Sequence, residues 1–212
     1  VYPDVKHLFA PCNYIDGDGN NLQDLDYCTS EIKRYTGIEY VRAYQTIGRP
    51  HIHRCPGVVT HRDIFKVCQY REEAGHIADD DFFYRVGQYT DVVGILSPLA
   101  SYRLHSKSET GHLKNMQLVQ RLAHDYIFQV KQWMECDFMG KKEFEYFCSL
   151  AARFAFEEFY YGVKYKQCTW EKEGKDYMEY LKLQDIKILI KYRLFLLLTS
   201  FLGKNLLSKL LK

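Results

Sequence analysis

Hydrophobic positions along the chain keep one rhythm up to about residue 111 and another after it. In the first stretch they fall in short runs separated by Gly, Pro, Asn and Asp, the pattern of a mixed α/β segment. Residues 7–15 read as a strand, and Asp16-Gly17-Asp18-Gly19-Asn20-Asn21 behind it has the composition of a tight turn. Thr36-x-x-Glu39 is a capping-box pattern, with Ile38, Val41 and Tyr44 at helical spacing behind it, so a helix is expected over 37–47, ended by Gly48-Arg49-Pro50. Residues 51–59 read as extended around Pro56-Gly57, 63–70 and 78–88 as helices, and 89–96 and 99–104 as strands. Beyond that the i, i+3, i+4 rhythm takes over. Met116 to Met134 forms one long helix, Phe144 to Ala155 lies in a second, and a third is expected from near Gln184 toward Lys212. The expected organisation is a mixed α/β segment over 1–111 and a helical region over 112–212, with no repeat and no Gly/Ser linker between them.

Composition narrows the function classes. The 212 residues carry 29 Lys plus Arg against 27 Asp plus Glu, a net charge of +2, which provides no basic field of the kind that drives nucleic-acid binding. The 7 cysteines are odd in number, scattered and free of any CxxC pair, which favours reduced thiols and a cytoplasmic home. Aromatic residues make up 16% of the chain, with 18 Tyr and 13 Phe, enough for a large core and for sugar-stacking faces besides. The chain opens on Val1 rather than Met, and a fragment of a longer protein is expected.

Several constellations carry chemical meaning. Asp16-x-Asp18-x-Asn20 imitates the start of a calcium loop, but Asn21 and Tyr27 stand where the loop needs Gly and a bidentate Glu, so an EF-hand is excluded. A solvated hairpin turn and the metal motif of sugar-nucleotide enzymes both remain open for it. His51-x-His53-x-Cys55 would place three ligands on one face of a strand, with His61 or Cys68 as a fourth; a polar strand face plus one buried Cys is the plainer alternative. No cysteine has the elbow or partner of a nucleophile. Asp79-Asp80-Asp81 is the strongest catalytic candidate, because adjacent carboxylates raise one another's proton affinity and a helix start fixes them in place. A helix N-terminus decorated with acids explains the same triplet.

The order of pieces around the triplet adds to this. Gly57-Val-Val-Thr-His-Arg-Asp-Ile-Phe65, then Asp79-Asp-Asp-Phe-Phe-Tyr-Arg85, then Pro98-Leu-x-x-Tyr102-Arg103-x-His105-x-x-Ser108 resembles the second half of family 2 glycosyltransferases of the GT-A fold, and Tyr14-Ile-Asp-Gly-Asp-Gly-Asn20 is similar to a hairpin of that family. The resemblance covers about residues 5–110, and its most specific piece is Tyr102-Arg103-x-His105. It implies an α/β fold: a partial GT-A-like, Rossmann-related mixed sheet segment forming the acceptor-side half of the domain, followed by a helical C-terminal region. It also implies inverting transfer from a nucleotide-sugar donor to a saccharide or lipid-linked acceptor, in bacterial surface polysaccharide synthesis. Asp79 falls on the general base; Ala78 replaces the preceding Glu of the usual pair, which leaves Asp80 as an alternative base. Arg103 falls on a residue that orders the acceptor-side loop and contacts substrate, with a structural salt bridge as the alternative. His105 falls on the His that completes the metal or diphosphate site, for a divalent cation (Mn or Mg) held mostly by the nucleotide-binding half. That half precedes this region in the family and is expected to be absent here, so the fragment is not expected to turn over by itself.

The tail suggests a partner. From Ile186 to Lys212 every charge is positive among many Leu and Ile, and the longest charge-free run, Leu194 to Gly203, falls short of the about 20 residues that a spanning helix needs. Such a helix fits an anionic membrane surface, placing the protein peripherally on the inner face of the cell membrane, or packs on the protein's own core. The rival reading from another class is a non-catalytic membrane-peripheral or scaffold module whose working part is this tail.

Overall fold

Pro11 divides what the alternation of residues 7–15 presents as one strand. It has no N–H to give to a ladder, so β1 (His7–Phe9) ends before it and β2 (Cys12–Ile15) begins after it in a different sheet. The computed structural model describes residues 2–22, 28–44, 53–105 and 115–184, together with Tyr192, Leu194, Leu197, Leu198 and Leu202. These residues form a mixed α/β protein with a small mixed sheet and C-terminal helices. The chain divides into two units: 1–72, 78–112 and 138–143 make the first, and 73–77, 113–137 and 144–212 the second.

In the first unit the sheet order is β3-β5-β1-β4, with β3 at Ile32–Tyr35, β4 at Val58–Thr60 and β5 at Val92–Ile95. β1 pairs parallel with β5 and antiparallel with β4, while β3 pairs antiparallel with β5. Val92, Val93 and Gly94 are all buried, as suits an interior strand covered on both faces. The edge strand β3 was not expected from the sequence, because three of its four residues are exposed and it lacks an alternating apolar face. β2 pairs in parallel with β6 (Ala100–Arg103) in a separate two-stranded sheet. Gly57 fits where it does for want of a side chain: a Cβ there would meet the Ala10 carbonyl and lie 2.9 Å from Cys12 Sγ. Its own carbonyl accepts from Ala10 N at 2.7 Å, tying the turn before β4 to the break between β1 and β2.

The capping box is present, with Thr36 N donating to Glu39 Oε2 at 2.8 Å and Glu39 N to Thr36 Oγ1 at 3.4 Å, and it starts α1 (Gly37–Tyr44). Residues 45–47 of the expected helix lie outside the described residues. The expected helix over 63–70 is a single 3₁₀ turn, Ile64–Lys66: Phe65, Lys66 and Val67 all face solvent, so no apolar stripe holds a longer helix down. α2 runs Ala78–Val86 and buries Phe82, Phe83, Tyr84 and Val86.

The second unit is built on α3 (Asn115–Met134), α4 (Lys141–Tyr165, of which the first residues belong to the first unit) and α5 (Cys168–Leu183). Tyr126 stacks on Phe154 at 5.3 Å and Trp133 on Phe147 at 6.0 Å, which sets α3 and α4 antiparallel. A Cβ at Gly174 would fall 2.5 Å from Phe159 N, so α4 and α5 approach at backbone distance. α5 is a correction to the sequence reading, which started its third helix near Gln184, where this one has already ended. With only Gly174, Met178 and Leu181 buried in a charged run, its apolar stripe is too thin to read. The expected tail helix over 186–212 falls mostly outside the described residues; Tyr192 stacks on Phe156 at 4.2 Å.

Glu158 on α4 is 1% exposed, and no cation or N–H donor reaches its oxygens among the described residues, where its neighbour is the Glu173 carboxyl. Burial, with the neighbouring Glu173 carboxylate adding, pushes it up to about 9. The folded unit therefore holds a proton that the unfolded chain releases above the ordinary glutamate range, so stability falls as pH rises from about 4.5 toward 9. Glu158→Met is expected to stabilise the protein by about 1–3 kcal/mol at pH 8 and to have little effect at pH 5. Urea melts at the two pH values read this directly, and a variant less stable at pH 8 would mean that the carboxylate has a partner in solution.

Candidate acidic site at the start of helix α2

Successive residues on a helix point about 100° apart, so three adjacent acids in the first turn of α2 cannot share one environment. Asp79 is half-buried; its Oδ2 accepts the Cys55 thiol at 2.9 Å and its Oδ1 accepts the Asp80 N–H at 2.9 Å. Asp80 turns its carboxyl inward, where the buried Tyr44 hydroxyl donates to Oδ1 at 2.6 Å. Burial pushes Asp80 up to about 7, with the Asp79 charge adding and the Tyr44 hydrogen bond and Arg54 opposing. Asp81 is fully buried between two guanidiniums: Arg71 Nε donates to Oδ2 at 3.0 Å and Arg85 Nε to the same oxygen at 2.8 Å, while Arg71 Nη2 holds Oδ1.

The triplet is thus divided into an ion-paired acid, an acid that holds a proton near neutrality, and a carboxylate on the outer side of the helix start. Cys55, the partner of Asp79, is pushed up to about 12 by burial of the sulfur and by the acceptor beside it, so the thiol stays protonated and is no nucleophile.

Arg54 stands close enough to oppose the proton on Asp80. Its Nε donates to the Tyr14 hydroxyl at 2.8 Å, and its guanidinium lies 5.9 Å from the Tyr14 ring and 5.7 Å from the Tyr102 ring. β2 and β6 thus supply an aromatic cradle for one cation. Behind the site runs a buried chain: Tyr40 Oη lies 2.6 Å from His53 Nε2 and 3.5 Å from His7 Nε2, and His7 Nδ1 lies 2.9 Å from Thr60 Oγ1. Burial pulls His7 down to about 4, so it is neutral at pH 7. Neither Arg54, Tyr44 nor this chain was singled out by sequence. The one trace was His7 sharing a face of β1 with Phe9, which reads as an ordinary core position.

His53, a candidate zinc ligand, is instead buried among aromatic rings, 4.7 Å from those of Tyr44 and Phe83 and with Nε2 committed to Tyr40. Cys55 points to Asp79, and His51 lies outside the described residues. The plainer alternative also misplaced both residues, since His53 is core and Cys55 is exposed. The Asp16 carboxylate accepts Asp18 N, Asn20 N and Asn20 Nδ2, each at 2.9 Å, which holds it below the usual carboxylate range and shapes a tight turn. Arg103 Nη1 donates to the Asp16 and Gly17 carbonyls at 3.1 and 2.6 Å. It therefore ties β6 to that turn through backbone oxygens. His105 follows β6 at the surface.

Among the described residues no three His, Cys, Asp or Glu side chains come together in a way that could hold a metal ion. No helix of the described residues is long and apolar enough to cross a membrane. No family model matches the chain, and no curated protein matches it.

Proposed function

We propose that this chain is the acceptor-side part of a GT-A-type inverting glycosyltransferase of family 2 kind, with Asp79 as the base. The observation that carries this reading is the division of the acidic triplet, in which Arg71 and Arg85 neutralise Asp81 and a proton occupies Asp80 near neutrality, leaving Asp79 as the outer carboxylate. In the proposed step the acceptor hydroxyl gives its proton to Asp79 as its oxygen bonds to the anomeric carbon. The bond from that carbon to the nucleoside diphosphate breaks on the opposite side, inverting the centre. Arg103, by fixing the turn that follows β2, is the positioning residue for the acceptor loop. A mixed sheet whose inner strand β1 has one parallel and one antiparallel neighbour suits the GT-A expectation.

The test is transfer by the gene product that carries this chain, supplied with UDP- and GDP-sugars and saccharide acceptors. A product of inverted linkage is the expected result, and hydrolysis or no reaction across the donor set would overturn the reading.

A second reading, a membrane-peripheral or scaffold module, is favoured by one specific observation: Leu194, Leu197, Leu198 and Leu202 are exposed in a segment whose charges are all positive. Co-sedimentation with anionic liposomes distinguishes it. Salt-sensitive binding that survives in an Asp79→Asn variant lacking transfer would show that tail and site act separately.

A further inference from the structure

Outside the hydrogen-bonded site, the first unit leaves a set of aromatic rings in solvent. Tyr70 is 52% exposed and Phe65 38% exposed, although both sit on a fully buried ring. Tyr70 stacks on Phe82 with centroids 4.5 Å apart and planes 21° apart, and Phe65 stacks on the same ring at 5.5 Å and 10°. The centroids of the two exposed rings lie 6.3 Å apart, with their planes inclined by 26°. Phe82 is thus a rigid floor that holds Tyr70 and Phe65 as a nearly parallel pair.

The segment that bears Tyr70 is pinned on both sides. Arg85 Nη2 donates to the Gln69 carbonyl at 2.5 Å, and Arg71 is held on Asp81. Two large exposed apolar faces kept in place by a buried ion pair are not explained by the core, which would gain more by covering them.

Their position relative to the triplet identifies what they could hold. Phe82 lies three residues after Asp79 on α2, on the same side of the helix. Burial raises the hold of the Tyr70 phenol on its own proton, and the Asp79 carboxylate is close enough to add to it. A flat, rigid aromatic surface beside a carboxylate matches a pyranose ring, whose C–H face packs on an aromatic ring while its hydroxyls reach a hydrogen-bond acceptor.

We propose that Tyr70, with Phe65 beside it, is a stacking platform for a pyranose unit of the acceptor saccharide, which it holds with one hydroxyl toward Asp79. This rests on the glycosyltransferase reading for the role of the sugar, and its own claim is a carbohydrate subsite on this face. An aromatic face recognises a pyranose through a patch of C–H bonds uninterrupted by hydroxyls, so a β-galactoside, whose axial 4-hydroxyl leaves H3, H4 and H5 together on the opposite face, is the favoured probe.

The experiment is saturation-transfer NMR of the whole chain with methyl β-D-galactopyranoside, followed by titration of wild type, Tyr70→Ala, Tyr70→Phe and Asp79→Asn. Saturation is expected on H3, H4 and H5 and not on the opposite face. Tyr70→Ala is expected to weaken binding by about tenfold, an effect of the size of one good aromatic contact, while Tyr70→Phe keeps it. Because Tyr70 is exposed, Tyr70→Ala should fold, and an unchanged circular dichroism spectrum checks this. Absence of any saturation with the wild-type chain, or equal affinity in Tyr70→Ala, overturns the platform.

The two readings fail separately. If Asp79→Asn abolishes transfer while Tyr70→Ala leaves the acceptor KM unchanged, the base stands and the platform falls. If the galactoside binds through Tyr70 but Asp79→Asn transfers normally, the platform stands as a carbohydrate site and the assignment of the base falls.

Discussion

Asp79→Asn is expected, on the proposed glycosyltransferase reading, to lower transfer by about 10²–10⁴-fold, the usual loss when a positioned base is removed. Donor affinity and melting temperature should stay near those of the wild type. The reason lies in what the side chain touches. Its oxygens accept one thiol and one backbone N–H, and Asn can still accept through its carbonyl oxygen, so the fold loses little. What Asn cannot do is take a proton from an attacking hydroxyl. Asp80→Asn should behave differently. Asp80 carries a proton up to about pH 7 and meets a hydroxyl donor in Tyr44, so Asn resembles the form already present.

Transfer by Asp80→Asn is therefore expected within severalfold of wild type. Its stability should lose a pH dependence that the wild type has: the folded protein holds a proton that the unfolded chain releases above about pH 4, so wild-type stability declines as pH rises from there through 7. A reversed outcome, with Asp80→Asn inactive and Asp79→Asn active, would move the base to Asp80. Full activity in both variants would remove the acid triplet from the mechanism.

The sequence made the long helices legible because their cores repeat every three to four residues, and the capping box at Thr36 because both of its partners are local in the chain. It concealed features whose cause is not local. The exposed edge strand Ile32–Tyr35 exists only because β5 offers it a ladder, and Cys168–Leu183 only because Gly174 lets it approach Ala155 and Phe159. The site divides in the same way. Three adjacent acids pointed to α2, but nothing in their spacing said which one would receive two arginines, which a tyrosine and which a thiol. Those partners come from positions 71 and 85, 44 and 55. The aromatic pair at Phe65 and Tyr70 was read as part of a helix, since exposure cannot be told from periodicity over so short a stretch.

Asp81→Ala is expected to destabilise the first unit by about 3–5 kcal/mol, the range for breaking a buried ion pair by removing one partner. Asp81 is 0% exposed, and the side chains of Arg71 and Arg85 are 24% and 12% exposed, so neither cation can fully rehydrate where it stands. The two guanidiniums would be left close together with no anion between them, which adds repulsion to the lost hydrogen bonds. Arg85 also donates to the Gln69 carbonyl and reaches Cys68 Sγ at 3.3 Å, so its displacement would loosen the segment that presents Tyr70. Urea melts of the single variants and of the Asp81→Ala, Arg71→Met pair separate the contributions. If the ion pair is the cause, the double variant should recover part of the loss, because it removes one of the stranded cations along with the acid. Galactoside binding should fall in Asp81→Ala even below its melting transition, since the platform depends on the pinned segment. A loss below about 1 kcal/mol would place Asp81 among exposed pairs of little consequence, and would leave the neutralisation of the triplet, on which the role of Asp79 depends, without its physical basis.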